Sequence, residues 1–215
     1  LFLKLANNTG VADMNPTYGI AGDKPVVGDW TGKGYRSIGV YRGNQFLLRN
    51  SNTTGYADIV VTFGSSADLP VAGDWTGQGK DTIGVFHNGH WALRNSNTAG
   101  TPDIVAFFGT TGDIPVVGDW TGQGKDTIGV YRPSTGTFYL SNSNTSPAAN
   151  IVATFGPLNA LPVVGDWDGN GTTTIGVDYN GHFKLRNSNT SGIPDITYYL
   201  GTSTDQPFAG DWIAN

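Results

Sequence analysis

The tripeptide Gly-Asp-Trp occurs five times, and its aspartates, Asp29, Asp74, Asp119, Asp166 and Asp211, are spaced by 45, 45, 47 and 45 residues. Other short motifs keep step with it. Asn50-Ser51-Asn52 returns as Asn95-Ser96-Asn97, Asn142-Ser143-Asn144 and Asn187-Ser188-Asn189, and Phe63-Gly64 returns as Phe108-Gly109 and Phe155-Gly156. A unit of this length cannot bury its apolar surface alone, so the copies must pack against one another.

Each unit reads as four short strands. In the second copy these are residues 70–75, 82–86, 91–94 and 104–108. Asn88-Gly89 lies between the second and third, where a two-residue hairpin needs positive φ. The single 47-residue spacing has a local cause: Pro133-Ser134-Thr135-Gly136 replaces the two-residue turn, adding two residues at a loop tip and none to a strand. No helical periodicity is sustained over a helix length. Four-stranded units in an even array predict an all-β, five-bladed β-propeller of four-stranded antiparallel blades. A β-solenoid is the rival, but its repeats are usually shorter. The units run 25–69, 70–114, 115–161, 162–206, and 207–215 plus 1–24, in one domain.

The last unit is expected to combine both chain ends. Phe2-Leu3-Lys4-Leu5 aligns with Phe46-Leu47-Leu48-Arg49, and Tyr18-Gly19 with Phe63-Gly64. Missing from it is the second strand, the counterpart of Thr82-Ile83-Gly84-Val85-Phe86. The fifth blade is therefore expected to lack one strand, to belong to a longer array, or to borrow the strand from another molecule. The protein would then be a monomer or a strand-sharing homo-oligomer. The chain opens at Leu1 without a signal-like segment, as expected of a processed form or an excised domain.

Composition removes several function classes. The net charge is −5 and there is no basic run, which gives no support to nucleic-acid binding. The apolar runs are far too short to span a membrane. All 17 acidic residues are Asp and there is no Cys. Glu-based acid–base chemistry, disulfides and zinc–thiolate sites are thereby excluded. A glycosidase needs two carboxylates in different environments, whereas the repeated aspartates are equivalent from unit to unit. Asp178 breaks the Tyr41/Phe86/Tyr131 pattern but stands alone. The chain reads as a non-enzyme.

Gly165-Asp166-Trp167-Asp168-Gly169-Asn170-Gly171, followed by Ile175-Gly176-Val177, resembles the FG-GAP/VCBS repeats, the integrin-like propeller family of bacterial secreted and surface proteins. The resemblance covers essentially the whole chain and implies a secreted or cell-surface location. In that family the turn after the first strand often binds calcium through alternate oxygens. Here the third position is Thr31, Thr76 and Thr121, and Lys33 places an ammonium in the fifth. Only Asp166, Asp168 and Asn170 retain a calcium-like set. No other cofactor is expected. The aligned tryptophans, Trp30, Trp75, Trp120, Trp167 and Trp212, read as packing between sheets rather than as sugar platforms.

Candidate ligand residues lie around the third strand and the loop after it. Arg49-Asn50, Arg94-Asn95 and Arg186-Asn187 offer directional donors, with Asn also an acceptor. His90 beside Trp91, and His182 beside Phe183, pair a polar group with an aromatic one. The competing reading is that these loops bond their own backbone. The expected function is binding without catalysis, lectin-like and through several weak sites. The alternative is a protein-interaction scaffold within a larger secreted or surface protein, and a glycoside-active enzyme comes last. The partner is accordingly a carbohydrate or a protein surface. Asn7, Asn52, Asn144, Asn170 and Asn189 match glycosylation sequons, relevant in a eukaryotic secretory host.

Overall fold

The strand nearest the middle of each repeat carries the run Ser/Thr-Ile-Gly-Val, apolar without alternation, and such a run requires cover on both faces. In the computed structural model, which describes residues 1–212, all four of these strands are buried along almost their whole length. The first blade comprises β1 (Lys24–Gly28), β2 (Ser37–Arg42), β3 (Gln45–Leu48) and β4 (Ile59–Thr62). The second comprises β5 (Leu69–Gly73), β6 (Thr82–His87), β7 (His90–Leu93) and β8 (Ile104–Phe107). The third comprises β9 (Ile114–Gly118), β10 (Thr127–Arg132), β11 (Thr137–Leu140) and β12 (Ile151–Thr154). The fourth comprises β13 (Leu161–Gly165), β14 (Thr174–Tyr179), β15 (His182–Leu185) and β16 (Ile196–Tyr199).

Every blade is an antiparallel meander in chain order, and the register repeats. Gly39 faces Leu48, Gly84 faces Leu93, Gly129 faces Leu140 and Gly176 faces Leu185. The glycine is there for space: a Cβ on Gly84 would lie 2.6 Å from Leu93 Cδ2 and 3.0 Å from Val71 Cγ2. Asn88 and Gly89 both have positive φ, 51° and 90°, as the two-residue hairpin demands. The outermost strands alternate, with one residue of each fully buried and its neighbours turned outward.

The expectation of a fifth blade is corrected. The fold is a four-bladed propeller of four-stranded blades, and among the described residues the two chain ends form no strand. They make a single isolated bridge, Leu3 to Met14. The reason is the missing second strand. In each blade that strand is hydrogen-bonded on both sides, so without it neither flanking segment has a ladder to join. The bridge also shifts the expected alignment by one residue. Leu3 faces Met14 as Leu48 faces Ile59, so Leu3 is the counterpart of Leu48 and Lys4 that of Arg49. The ends instead span the seam between the fourth and first blades. Tyr199 N–H donates to Thr9 Oγ1 (3.1 Å), Thr17 N–H to Thr54 Oγ1 (2.9 Å) and Arg36 N–H to Asp211 O (2.9 Å).

Candidate functional site

The recurring polar motifs are first of all scaffold. Asp29 Oδ1 accepts from the N–H groups of Thr31 and Gly32, and Oδ2 from Gly34 N–H; Asp74 repeats this with Thr76, Gly77 and Gly79. Across the blade interface, Asp29 N–H donates to Asp81 Oδ2 and Asp74 N–H to Asp126 Oδ2. Trp30, Trp75 and Trp120 are fully buried, as the packing reading expected.

The second asparagine of Asn-Ser-Asn ties the loop to the start of the second strand. Asn144 Oδ1 accepts from Ile128 N–H (3.0 Å) and its Nδ2 donates to Asp126 O (2.9 Å). Asn52 makes the same pair of bonds to Ile38 and Arg36. Asn52 and Asn144 are buried with their amide nitrogens engaged, so these two sequons are closed to glycosylation in the folded chain.

The guanidinium groups fold back into their own loops. Arg94 donates to Thr98 O, Thr101 O, Ser96 Oγ and Asp103 Oδ2; Arg186 donates to Thr190 O and Ile193 O; Arg49 to Tyr56 O and Thr53 Oγ1. Their donors are largely spent on shaping the loop. The neighbouring Asn50, Asn95 and Asn187 side chains are exposed and make no side-chain hydrogen bond among the described residues. Trp91 is not on the surface. It is wholly buried against Phe86, with its Nε1–H donated to Phe108 O. Phe183 is likewise buried.

His90 and His182 lie at the opposite end of the third strand from Arg94 and Arg186, roughly 13 Å away along an extended chain. His90 meets the exposed Phe107 edge-on (5.1 Å between centroids), and His182 stacks on Tyr199 at 4.3 Å. The structure therefore splits the sequence-derived residues between two rims of each blade.

His90 opens onto a groove of about 440 Å³ between the first and second blades. Val85, Ala92 and Pro102 provide apolar wall, and Asp68, His87 and His90 provide polar groups. His87 Nδ1 is 3.4 Å from Asp68 Oδ1, the two residues lying opposite each other at the end of the β5–β6 ladder, where Leu69 faces Phe86. Sequence reasoning missed Asp68 and its equivalents. Arg42 pairs with Asp23 and Arg132 with Asp113 at the matching ends of the β1–β2 and β9–β10 ladders, each through two bonds of 2.8–2.9 Å. The signal was present: Asp23, Asp68 and Asp113 keep the 45-residue period, each closing a turn by accepting the N–H three residues earlier.

The Asp166–Asn170 loop is closed on itself. Asn170 N–H donates to Asp166 Oδ1 and Asp168 Oδ1, Gly171 N–H to Asp166 Oδ2, and Thr172 N–H to Asn170 Oδ1. These bonds cap the turn with its own side chains. Among the described residues, no group of three or more His, Cys, Asp or Glu side chains is placed to hold a metal ion. No helix among them is long and apolar enough to cross a membrane.

Where the blades converge, Asp126 is buried and its pKa is raised to about 6, chiefly by desolvation, with Arg36 opposing and Asp81 adding to the rise. Arg36 Nε lies 3.7 Å from Asp81 Oδ2. A raised carboxyl pKa means that the folded chain holds this proton more tightly than the unfolded one. The penalty is absent below the ordinary value near 4 and complete above pH 6. Asp126→Asn keeps an acceptor for Asp74 N–H and is expected to stabilise the protein by about 1–2 kcal/mol at pH 7. Urea titrations across pH should show that gain vanish below about pH 4; a gain that persists unchanged at pH 3.5 would refute the assignment.

No family model matches this chain, and no curated protein matches it. A solved lectin of Agrocybe aegerita, whose structure is described as the basis of specific recognition of non-reducing terminal N-acetylglucosamine, aligns over 82% of this chain with 17% identity and a TM-score of 0.49. This chain spans about half of that structure, 51% of its length.

Proposed function

We propose that the protein is a non-catalytic binding module that takes carbohydrate weakly in grooves between adjacent blades. The observation that carries this reading is the groove between the first and second blades, where an apolar wall faces Asp68, His87 and His90. Sugar rings present C–H faces and polar edges, and a shallow groove with both kinds of surface matches them. The repeat places a variant at each interface: Gln45, Thr137 and His182 stand at the place of His90, and Arg42, Arg132 and Tyr179 at the place of His87. Several unequal weak sites gain strength together on a multivalent glycan. Membership of the FG-GAP/VCBS family and a secreted or surface location belong to the same proposal and rest on the sequence resemblance.

The test is binding to a glycan array and to polysaccharide columns, followed by titration of the best hit. His90→Ala is expected to weaken binding about threefold to tenfold, the loss of one hydrogen-bonding group. Silence on every glycan surface would end the carbohydrate reading. A protein-binding scaffold is the second reading, favoured by the large exposed aromatics Phe107 and Tyr199 on the outermost strands.

A further inference from the structure

The outermost strand of each blade turns alternate N–H groups away from its own sheet, and a loop hydroxyl often meets one of them. Thr154 N–H of β12 donates to Ser191 Oγ in the loop of the fourth blade (2.9 Å). Thr17 N–H meets Thr54 Oγ1 and Tyr199 N–H meets Thr9 Oγ1 in the same way (2.9 and 3.1 Å). Thr54, Ser191 and Thr9 hold one place in the loop motif, two residues after Asn52, Asn189 and Asn7.

In the second blade that place is held by Ala99, which has no hydroxyl. The N–H left to it is that of Thr62 on β4. Phe63 N–H donates inward to Asn44 O, so by strand alternation Thr62 N–H points outward, and it has no partner among the described residues. Thr62 lines the groove of about 440 Å³ between the first and second blades, together with His90, Ala92 and Pro102. His90 is exposed and likewise has no hydrogen-bond partner among the described residues; its ring only meets Phe107 edge-on.

A second small residue opens the same groove. By register, Ala92 stands where the other blades carry Leu47, Tyr139 and Lys184. In the third blade the larger Tyr139 takes that place, with the Arg132 guanidinium 4.7 Å from the centre of its ring. Ser146 makes no bond to Phe107 N–H there, but the ring and the guanidinium fill the face that Ala92 leaves bare. The second blade therefore combines a spare main-chain donor, a spare imidazole and a wall cut back to a methyl group.

We propose, building on the carbohydrate reading of this groove, that a hexopyranose supplies the missing hydroxyl. One sugar hydroxyl takes the place of the loop hydroxyl and accepts the Thr62 N–H. A second bonds to the His90 imidazole, which donates at one nitrogen and accepts at the other. A C–H face of the ring covers Ala92 and Pro102. Two hydroxyls fixed on one rigid ring suit two groups fixed on opposite walls, Thr62 on the first blade and His90 on the second. This makes the groove the strongest of the unequal sites. Between the third and fourth blades the chain satisfies the same N–H from its own loop, and a sugar there would first have to displace Ser191.

The experiment titrates the 215-residue protein with the methyl glycosides of glucose, galactose, mannose and fucose at millimolar concentration, followed by the amide and imidazole NMR signals. At least one glycoside should shift the Thr62 amide and the His90 ring along a single saturable curve. Ala99→Thr restores the hydroxyl that Thr54 carries and should weaken that binding roughly tenfold or more. Ala99→Gly restores nothing and should bind within about twofold of the parent. Ala92→Leu copies Leu47 and should abolish binding. Both blocking variants carry residues that the first blade already accommodates at the same places, so the fold is retained. A glycoside that binds Ala99→Thr as tightly as the parent, or that leaves the Thr62 amide unmoved, would overturn this placement and leave the carbohydrate reading standing. Silence of all four glycosides overturns it as well, and a glycan array silent at the same time ends the carbohydrate reading with it.

Discussion

Trp75→Ala is expected to cost about 3–5 kcal/mol of folding stability, whereas Trp167→Ala should cost only about 1–2 kcal/mol. The two tryptophans occupy the same place in the repeat, so sequence distance and chemistry are matched. Trp75 is 1% exposed and shares its core with Val71, Leu93, Ile128 and Val130, drawn from two blades. Removing its ring opens a cavity that two rigid sheets cannot collapse to fill. Trp167 has cover on one side only. Denaturant melts of the two variants decide the matter: equal losses would mean that the fourth core is as well sealed as the others. Trp75→Phe separates packing from polarity. The Trp75 indole N–H is buried without a partner among the described residues, so Phe forfeits volume but no hydrogen bond and should cost less than Ala.

Asn144→Ala is expected to cost about 2–4 kcal/mol, and Asn142→Ala, two residues away, under about 0.5 kcal/mol. The first strips partners from two buried backbone groups at once, Ile128 N–H and Asp126 C=O. Neither can turn to water, because Asp126 and Ile128 are both buried. The Asn142 side chain is exposed and makes no hydrogen bond among the described residues. Asn189→Ala should fall between, since Asn189 keeps its bond to Thr173 O while its own Oδ1 has no partner among the described residues. Thermal melts rank the three; a large loss at Asn142 would show that the loop exterior carries structure as well.

The same comparison shows how much could be read beforehand. The four strands of each unit were legible to within a residue or two, because an Asn-Gly turn and a doubly buried Ile-Gly-Val run leave little freedom locally. The scaffold role of the Gly-Asp-Trp motif was legible too, since an Asp followed by Thr-Gly closes a turn through its own backbone. The candidate site was less so. Arg94 and His90 sit four residues apart in the sequence yet on opposite rims, and Trp91 points into the blade while His90 points out, by the two-residue alternation of a strand. Asp68 and His87 are 19 residues apart in neighbouring units, and the antiparallel pairing of β5 with β6, in which Leu69 faces Phe86, sets them opposite each other at 3.4 Å.

The sequence by itself determined the repeat, its strands and its turns, because each of these is settled by neighbours along the chain. Only the tertiary structure decided the number of blades. Leu3 and Met14 carry the pattern of a strand pair, but strands are made by hydrogen bonds to a partner, and without a central strand these segments reach only one bridge. Trp167 is half-buried where its three counterparts are covered by the next blade, and no pattern within a single unit could have revealed that.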